Sequence, residues 1–243
     1  MKTKGNYGID SPGIVAVLFV LGCVLLLVAS LVHSAWRGVA YGLAGYFLLG
    51  AGAMLFYSKV GKLALRERLL DKIPWRGDER VLDLGCGRGL LAVGAARRVS
   101  SGTVTGVDVW NRHAVSDNRA GSVLENAAIE GVKDRVAVKE GDARKLPFAD
   151  GTFDVVVSNF VVHELKSRAD RQQMMCEVAR VLKHGGRVAL VDFIFTDECV
   201  RVLREMDIGD AGRARVGSPF SFWVSAILNL GAIRTYHVVG RKS

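Results

Sequence analysis

The apolar positions of this chain follow two regimes that change near residue 59. Gly13 to Val32 (GIVAVLFVLGCVLLLVASLV) is a run of 20 residues without a charge, and Gly38 to Ser58 is a second of 21. At 1.5 Å per helical residue, about 20 residues reach roughly 30 Å, the thickness of a hydrocarbon core. Neither run carries the polar stripe of a helix on a soluble core. A helix in lipid satisfies its own backbone hydrogen bonds, so the pair predicts a two-helix transmembrane hairpin, with spans at 13–32 and 38–58. Residues 33–37 join the spans, and Trp36 and Tyr57 fall where amphipathic rings prefer the interface. The apolar region of a cleaved signal peptide is only about 7–15 residues and lacks a second run behind it. Gly38-x-x-x-Gly42 is a weak helix-packing signal.

From Arg80 onward the pattern becomes an alternation. RVLDL (80–84), TVTGVDV (103–109), RVAVKEGD (135–142), FDVVVSN (153–159) and GRVALVDF (186–193) are short, Val-rich runs that predict buried strands. LLAVGAARRV follows the first, and a helix ending near residues 130–132 follows the second. RADRQQMMCEVARVLK precedes the last, with Met174, Met175, Val178, Val181 and Leu182 on one face and a stop at Gly185-Gly186. Strands alternating with helices predict an α/β, Rossmann-like, doubly wound and mostly parallel sheet, whose ligands bind at the carboxyl ends of the strands. Residues 218–231 (SPFSFWVSAILNLG) are more apolar than a surface helix requires. Phe220, Phe222, Trp223, Ile227 and Leu230 predict packing on the sheet, with a membrane contact or a lid as alternatives.

Composition agrees with this division. Half of the 243 residues are apolar, 23% are charged and mean hydropathy is +0.23, which excludes a disordered chain. Net charge is +9. Lys2 and Lys4 precede the first span, while Lys59, Lys62, Arg66, Arg68, Lys72 and Arg76 follow the second, and the joining loop has only Arg37. This asymmetry predicts an integral membrane protein with both termini, and the domain after the hairpin, in the cytoplasm. The basic helix or linker at 59–79 is expected either against anionic headgroups or solvated. No basic stripe interleaved with aromatics is present, so no nucleic-acid partner is expected. The four cysteines, Cys23, Cys86, Cys176 and Cys199, form no C-x-x-C pair, so neither a zinc ribbon nor a disulfide framework is encoded, and a reducing compartment is expected.

The first strand closes on Asp83-Leu84-Gly85-Cys86-Gly87-Arg88-Gly89. Glycines at alternate positions let a backbone turn sharply and approach a ligand closely. The dinucleotide fingerprint G-x-G-x-x-G needs a glycine where Leu90 stands. Asp108 ends the second strand 21 residues after Gly87, placed to accept hydrogen bonds from ribose hydroxyls, and Asp142 ends the third, where a purine amino group could be read. His163 is the plausible proton acceptor, with Glu164 as its natural partner, and the plainer alternative is packing or capping of the next helix. His163-Glu164 lacks a second histidine, since position 167 is Ser167, and His33, His113, His184 and His237 are scattered, so no metal is expected.

VLDLGCGRG (81–89), GVDVW (106–110), EGDARKLPFADGTFDVVVSNFVVHEL (140–165) and LKHGGRVALVDF (182–193) resemble, in order and interval, the motifs of the class I S-adenosylmethionine-dependent methyltransferases. The resemblance covers roughly residues 60–243 and places the methyltransferase domain at 80–243. It implies seven strands, the last antiparallel, with IRTYHVVGRK (233–242) as the closing strand. It implies S-adenosylmethionine as methyl donor, with Asp83, Gly85, Cys86, Gly87 and Gly89 around the methionine moiety. Asp108 would hold the ribose, with Val109 beside it, Asp142 and Ala143 the adenine, and Asn159 would complete the donor set. Cys86 is expected as a small packing residue. In the insertion at 111–122, Asp117 and Asn118 are candidates near the ribose or acceptor entrance, with a plain surface loop as the default.

Members that methylate planar nitrogens carry N-P-P-Y or a close variant where this chain has Asn159-Phe160-Val161-Val162. The mismatch counts against DNA, rRNA and glutamine acceptors and is similar to the subgroup acting on small molecules, quinones and lipids. The expectation is a membrane-anchored methyltransferase with a lipid-like or other small-molecule acceptor. The alternatives are methylation of a membrane-protein side chain, or a module that binds S-adenosylmethionine without turnover.

Overall fold

The computed structural model describes residues 4–31, 36–111, 115–216 and 235–243. The two apolar runs form α1 (Pro12–Leu31) and α2 (Trp36–Phe56). They meet along small residues: Val15, Gly22 and Ala29 of α1, and Ala44 and Ala51 of α2, are buried at seven-residue intervals. A Cβ on Gly22 would lie 2.6 Å from Leu48 Cγ, so the glycine permits close approach. Gly38 and Gly42 face open space, and their spacing plays no part in this seam. Large side chains on the outer faces stay bare, including Phe19 at 57% and Leu27 at 61% exposure. By length and composition, Pro12–Leu31 and the 35-residue helical rod Trp36–Leu70 could each cross a membrane.

That rod runs from α2 through a π-helical turn, Tyr57–Gly61, into α3 (Lys62–Leu70). The basic stretch after the hairpin thus divides by function. Lys59, Arg68, Lys72 and Arg76 are exposed, whereas Lys62 and Arg66 turn inward beside buried Leu65, Leu69 and Leu70. A Cβ on Gly94 would lie 2.6 Å from Arg66 Cδ and 2.7 Å from Leu70 Cδ1, so α3 packs hard on the domain rather than running free as a linker.

The domain alternates β1 (Arg80–Leu84), α4 (Leu90–Ala96), β2 (Thr103–Asp108), α5 (Ala120–Ile129), β3 (Val136–Glu140), β4 (Phe153–Asn159), α6 (Arg168–Val181), β5 (Leu182–Asp192), α7 (Thr196–Glu205), β6 (Gly212–Arg215) and β7 (Tyr236–Arg241). One seven-stranded sheet has the order β3-β2-β1-β4-β5-β7-β6. Pairings among β1 to β5 are parallel, and β7 runs against both β5 and β6. The closing antiparallel strand falls within residues 233–242, as expected. One apolar core lies under α3, α4 and α5, and a second under α6 and α7. The central strands β1 and β4 are buried on both faces, which is why they read as nearly continuous apolar runs.

One local expectation needs correction. Gly185-Gly186 does not end α6; the helix stops at Val181, and Leu182 is already extended and paired with Phe153. A register shift between Phe153 and Val155 absorbs the glycine pair inside the strand, and Gly185 N donates to Lys242 O at 2.9 Å. The short strand β6, GRAR, is largely exposed and carries no apolar alternation, so no sequence pattern marks it. The apolar segment 218–231 and His113 lie outside the described residues.

Candidate active site

β1 carries Asp83 to the sheet's carboxyl edge, and the chain turns through Gly85, whose φ of +67° suits glycine. A Cβ there would collide with Val161, so this turn and the loop after β4 lie against each other. Gly85 N and Cys86 N both donate to Val107 O, at 2.8 and 3.0 Å, tying the turn to β2. Gly89 (φ +80°) opens α4 against Val123 and does not line the cavity, unlike Asp83, Gly85, Cys86 and Gly87. Cys86 is buried and its thiol is pushed up by that burial, consistent with packing under the turn.

Asp83 is 1% exposed and accepts Ala92 N at 2.7 Å. Burial raises its carboxyl to about 7; the Ala92 hydrogen bond opposes this and nearby Asp108 adds to it. Asp108 Oδ2 accepts Gly87 N at 2.7 Å, and its Oδ1 accepts Trp110 N at 2.7 Å and Asn118 Nδ2 at 3.4 Å. Asn118 Oδ1 is buried with no hydrogen-bond partner. An orphaned acceptor beside a carboxylate suits a ligand that brings hydroxyl or amino donors, which is what an adenosyl group offers. Asp142 leans on Arg144, whose hydrogen bonds hold its carboxyl below the usual range, and Arg144 also reaches Asp170 at 3.0 Å. Asp117 is half exposed and ion-paired with Arg88 at 2.7 Å, a loop-closing role rather than a cavity role.

On the opposite wall stands His163, with Asp192 as its nearer acid. Nδ1 lies 3.3 Å from Asp192 Oδ2, and Nε2 lies 3.4 Å from Glu164 Oε1. Asp192 is 1% exposed and also accepts Phe193 N at 2.7 Å, whereas Glu164 is half exposed. Burial alone would lower the imidazole's pKa, but the hydrogen bond and charge of Asp192, helped by Glu164, raise it overall. The His163 and Phe193 rings sit 4.6 Å apart, and Phe160, held at φ +57°, lies 6.0 Å from Phe193 and 6.5 Å from Tyr57. A non-glycine residue in that conformation is strained, and such strain gathers at functional sites. Sequence reasoning missed Asp192, although an acid ending a strand at the carboxyl edge is the same signal that marked Asp108.

The third wall was not foreseen either. Tyr7, Asp10 and Ser11, which precede the first apolar run, line the same cavity together with Met54, Tyr57, Ser58 and Lys62 from the second rod. The cavity measures about 510 Å³, within the range of small-molecule sites. Among the described residues no group of His, Cys, Asp and Glu is arranged to hold a metal.

A doubly wound sheet in this strand order with one reversed strand, and a glycine turn between acids at its carboxyl edge, is the Rossmann-like fold of class I S-adenosylmethionine-dependent methyltransferases. Residues 82–190 match the family described as a methyltransferase domain. The matched residues run from within β1 into β5 and include the glycine turn, Asp108 and Asp142. Among curated relatives, 27-O-demethylrifamycin SV methyltransferase of Amycolatopsis mediterranei is 35% identical over 130 residues, covering 54% of this chain and 44% of the relative. Phosphatidylethanolamine N-methyltransferase of Cereibacter sphaeroides is 34% identical over 133 residues, covering 55% and 59%. The chain therefore spans about half the length of the curated relatives it matches. A solved S-adenosylmethionine-dependent methyltransferase from Aquifex aeolicus is similar in fold, with a TM-score of 0.54, 20% identity, and coverage of 73% and 89%.

Proposed function

We propose that this protein is a membrane-anchored methyltransferase whose acceptor is a small lipid-like or quinone-like molecule. The observation that carries the reading is the cavity's composition. Donor-side residues Asp83, Gly87, Asp108 and Asp142 share it with Met54, Tyr57 and Ser58 at the end of the second apolar run, and with aromatic Phe160 and Phe193. An acceptor held by the hairpin's membrane would reach the reacting end without leaving the bilayer surface. Anchoring also raises the local concentration of such an acceptor. The relative named for phosphatidylethanolamine supports a lipid acceptor by analogy. Both termini and the domain then face the cytoplasm, the orientation that the flanking basic residues favour.

In this reading Asp108, Val109 and Asn118 hold the ribose, Asp142 and Ala143 the adenine, and Asp83 with Gly85, Cys86 and Gly87 the methionine end, beside Asn159. Bound S-adenosylmethionine supplies a methyl group on an electrophilic sulfonium. The chain's contribution is to align the acceptor with it and exclude water, worth about 7–11 kcal/mol of barrier. His163 takes the acceptor's proton at Nε2, and the Asp192 carboxylate at Nδ1 fixes the ring's tautomer, with Glu164 at the rim. Incubation of the full chain with methyl-labelled S-adenosylmethionine and a membrane extract tests the proposal. Label in the organic phase supports it, and label confined to water-soluble molecules or to a protein band overturns the lipid assignment.

A further inference from the structure

The segment before the first apolar helix is tied to the domain by more hydrogen bonds than a passing tail needs. Asn6 N donates to Asn126 Oδ1 at 2.7 Å, and Asn126 Nδ2 returns a bond to Asn6 O at 3.0 Å. Tyr7, 5% exposed, donates its hydroxyl to Glu130 Oε1 at 2.6 Å and accepts from Arg66 at 3.3 Å. Ile9 N donates to Ser116 Oγ, and Ser116 N donates to Ile9 O, at 2.9 and 3.1 Å. Gly8 takes a φ of +74°, where a Cβ would strike Arg88 Cδ and Ser116 O at 2.9 Å.

Two buried cations hold this segment shut. Lys62, 3% exposed, gives its ammonium to Tyr7 O at 2.7 Å, Gly8 O at 3.0 Å and Asp10 at 3.1 Å. Burial lowers the Lys62 pKa, and Asp10 opposes that. Arg88, inside the glycine turn itself, donates to Asn6 O at 2.7 Å. Tyr7, Asp10 and Lys62 face the cavity that Gly85, Gly87 and Arg88 also line. A buried charge is tolerated only where its hydrogen bonds are met, so Lys62 and its carbonyl cage form or break as a unit.

We infer that residues Asn6–Asp10, latched by Lys62 and Arg88, are the outer wall of the donor site, and that exchange of the donor and its product requires this wall to lift. The inference rests on assigning the cavity to S-adenosylmethionine, with the methionine end against the glycine turn. Asp10 stands two residues before Pro12, the first residue of α1, so the wall is tethered to the hairpin, and its opening is coupled to how α1 sits.

The test is the release rate of radiolabelled S-adenosylhomocysteine from the full chain in phospholipid nanodiscs. Lys62→Met breaks the latch, and Tyr7→Phe removes one hydroxyl with little change in volume. Release is expected to quicken about tenfold or more in Lys62→Met and several-fold in Tyr7→Phe, the scale of one charge-assisted hydrogen bond lost. Lys62→Arg, which keeps the donors, is expected to restore most of the wild-type rate. Ligand-free melting temperature, read in parallel, separates a loosened wall from a loosened fold. If Lys62→Met fails to fold, Tyr7→Phe alone decides. Wild-type release rates in the folded variants overturn the wall, whereas no binding by the wild type overturns the donor assignment instead.

Discussion

Asp83→Asn isolates the most heavily perturbed acid of the site. The Asp83 carboxyl is raised by burial from 3.8 to about 7, roughly three pKa units, or about 4 kcal/mol at 1.36 kcal/mol each. Well below pH 4, the carboxyl is protonated in the folded and unfolded chain alike, and the shift has no effect on the balance. Between pH 4 and 7 the unfolded chain gives up this proton and the folded chain keeps it, so stability falls as pH rises. Above about pH 7 the loss is complete and constant. Asparagine keeps an acceptor for Ala92 N but cannot ionise. The variant's stability relative to wild type should therefore rise by about 3 kcal/mol between pH 5 and 8, over any constant offset from its buried amide. Urea unfolding of the ligand-free full chain in micelles, followed by tryptophan fluorescence, measures this. Wild-type and variant curves that stay parallel from pH 5 to 8 would refute the burial argument.

Other outcomes follow from the same geometry. His163→Ala should lower kcat about 10²- to 10⁴-fold, the usual worth of a positioned base. Asp192→Asn removes the group that raises the His163 pKa and should move the acidic limb of the kcat profile to lower pH; an unmoved limb would argue that His163 only packs. Gly85→Ala forces a β-carbon into Val161 at a φ of +67°, and should cost at least about 1–2 kcal/mol of stability as well as donor affinity. Asp108→Ala removes the acceptor of Gly87 N and should weaken S-adenosylhomocysteine binding about tenfold or more by calorimetry, while a smaller loss would place the ribose elsewhere.

What was legible in the sequence was whatever local pattern encodes. β1 and β4 fall at the residues expected, because a strand covered on both faces must be apolar throughout. Gly87 and Asp108 could be put forward because a tight turn favours glycine and an acid at a strand's carboxyl end can meet ribose hydroxyls, whereas Asp83 came from the family resemblance. The partners that complete the site were hidden because they are distant in sequence. Asp192 meets His163 across 29 positions, and Tyr7 meets Glu130 across 123, with no periodicity to announce either pair. Lys62 and Arg66 read as ordinary flanking cations, since a basic residue after an apolar span has a sufficient reason to be there; only packing turned them inward. The glycine pair at 185–186 misled for the opposite reason. A strong local stop signal was overridden by the pairing of Leu182 with Phe153.

The ends of the helical hairpin nearly touch: Asp10 N donates to Ser58 Oγ, and Ser58 Oγ donates to Asp10 Oδ2, each at 3.0 Å. Topologically, then, the apolar pair is an excursion inserted into a folded unit that starts before it and resumes after it. Removing everything up to residue 58 to obtain a soluble form would strand the interior Lys62 without the carbonyls and carboxylate that hold it. Exchanging residues 12–56 for another helix pair whose termini close to the same distance would leave that unit whole.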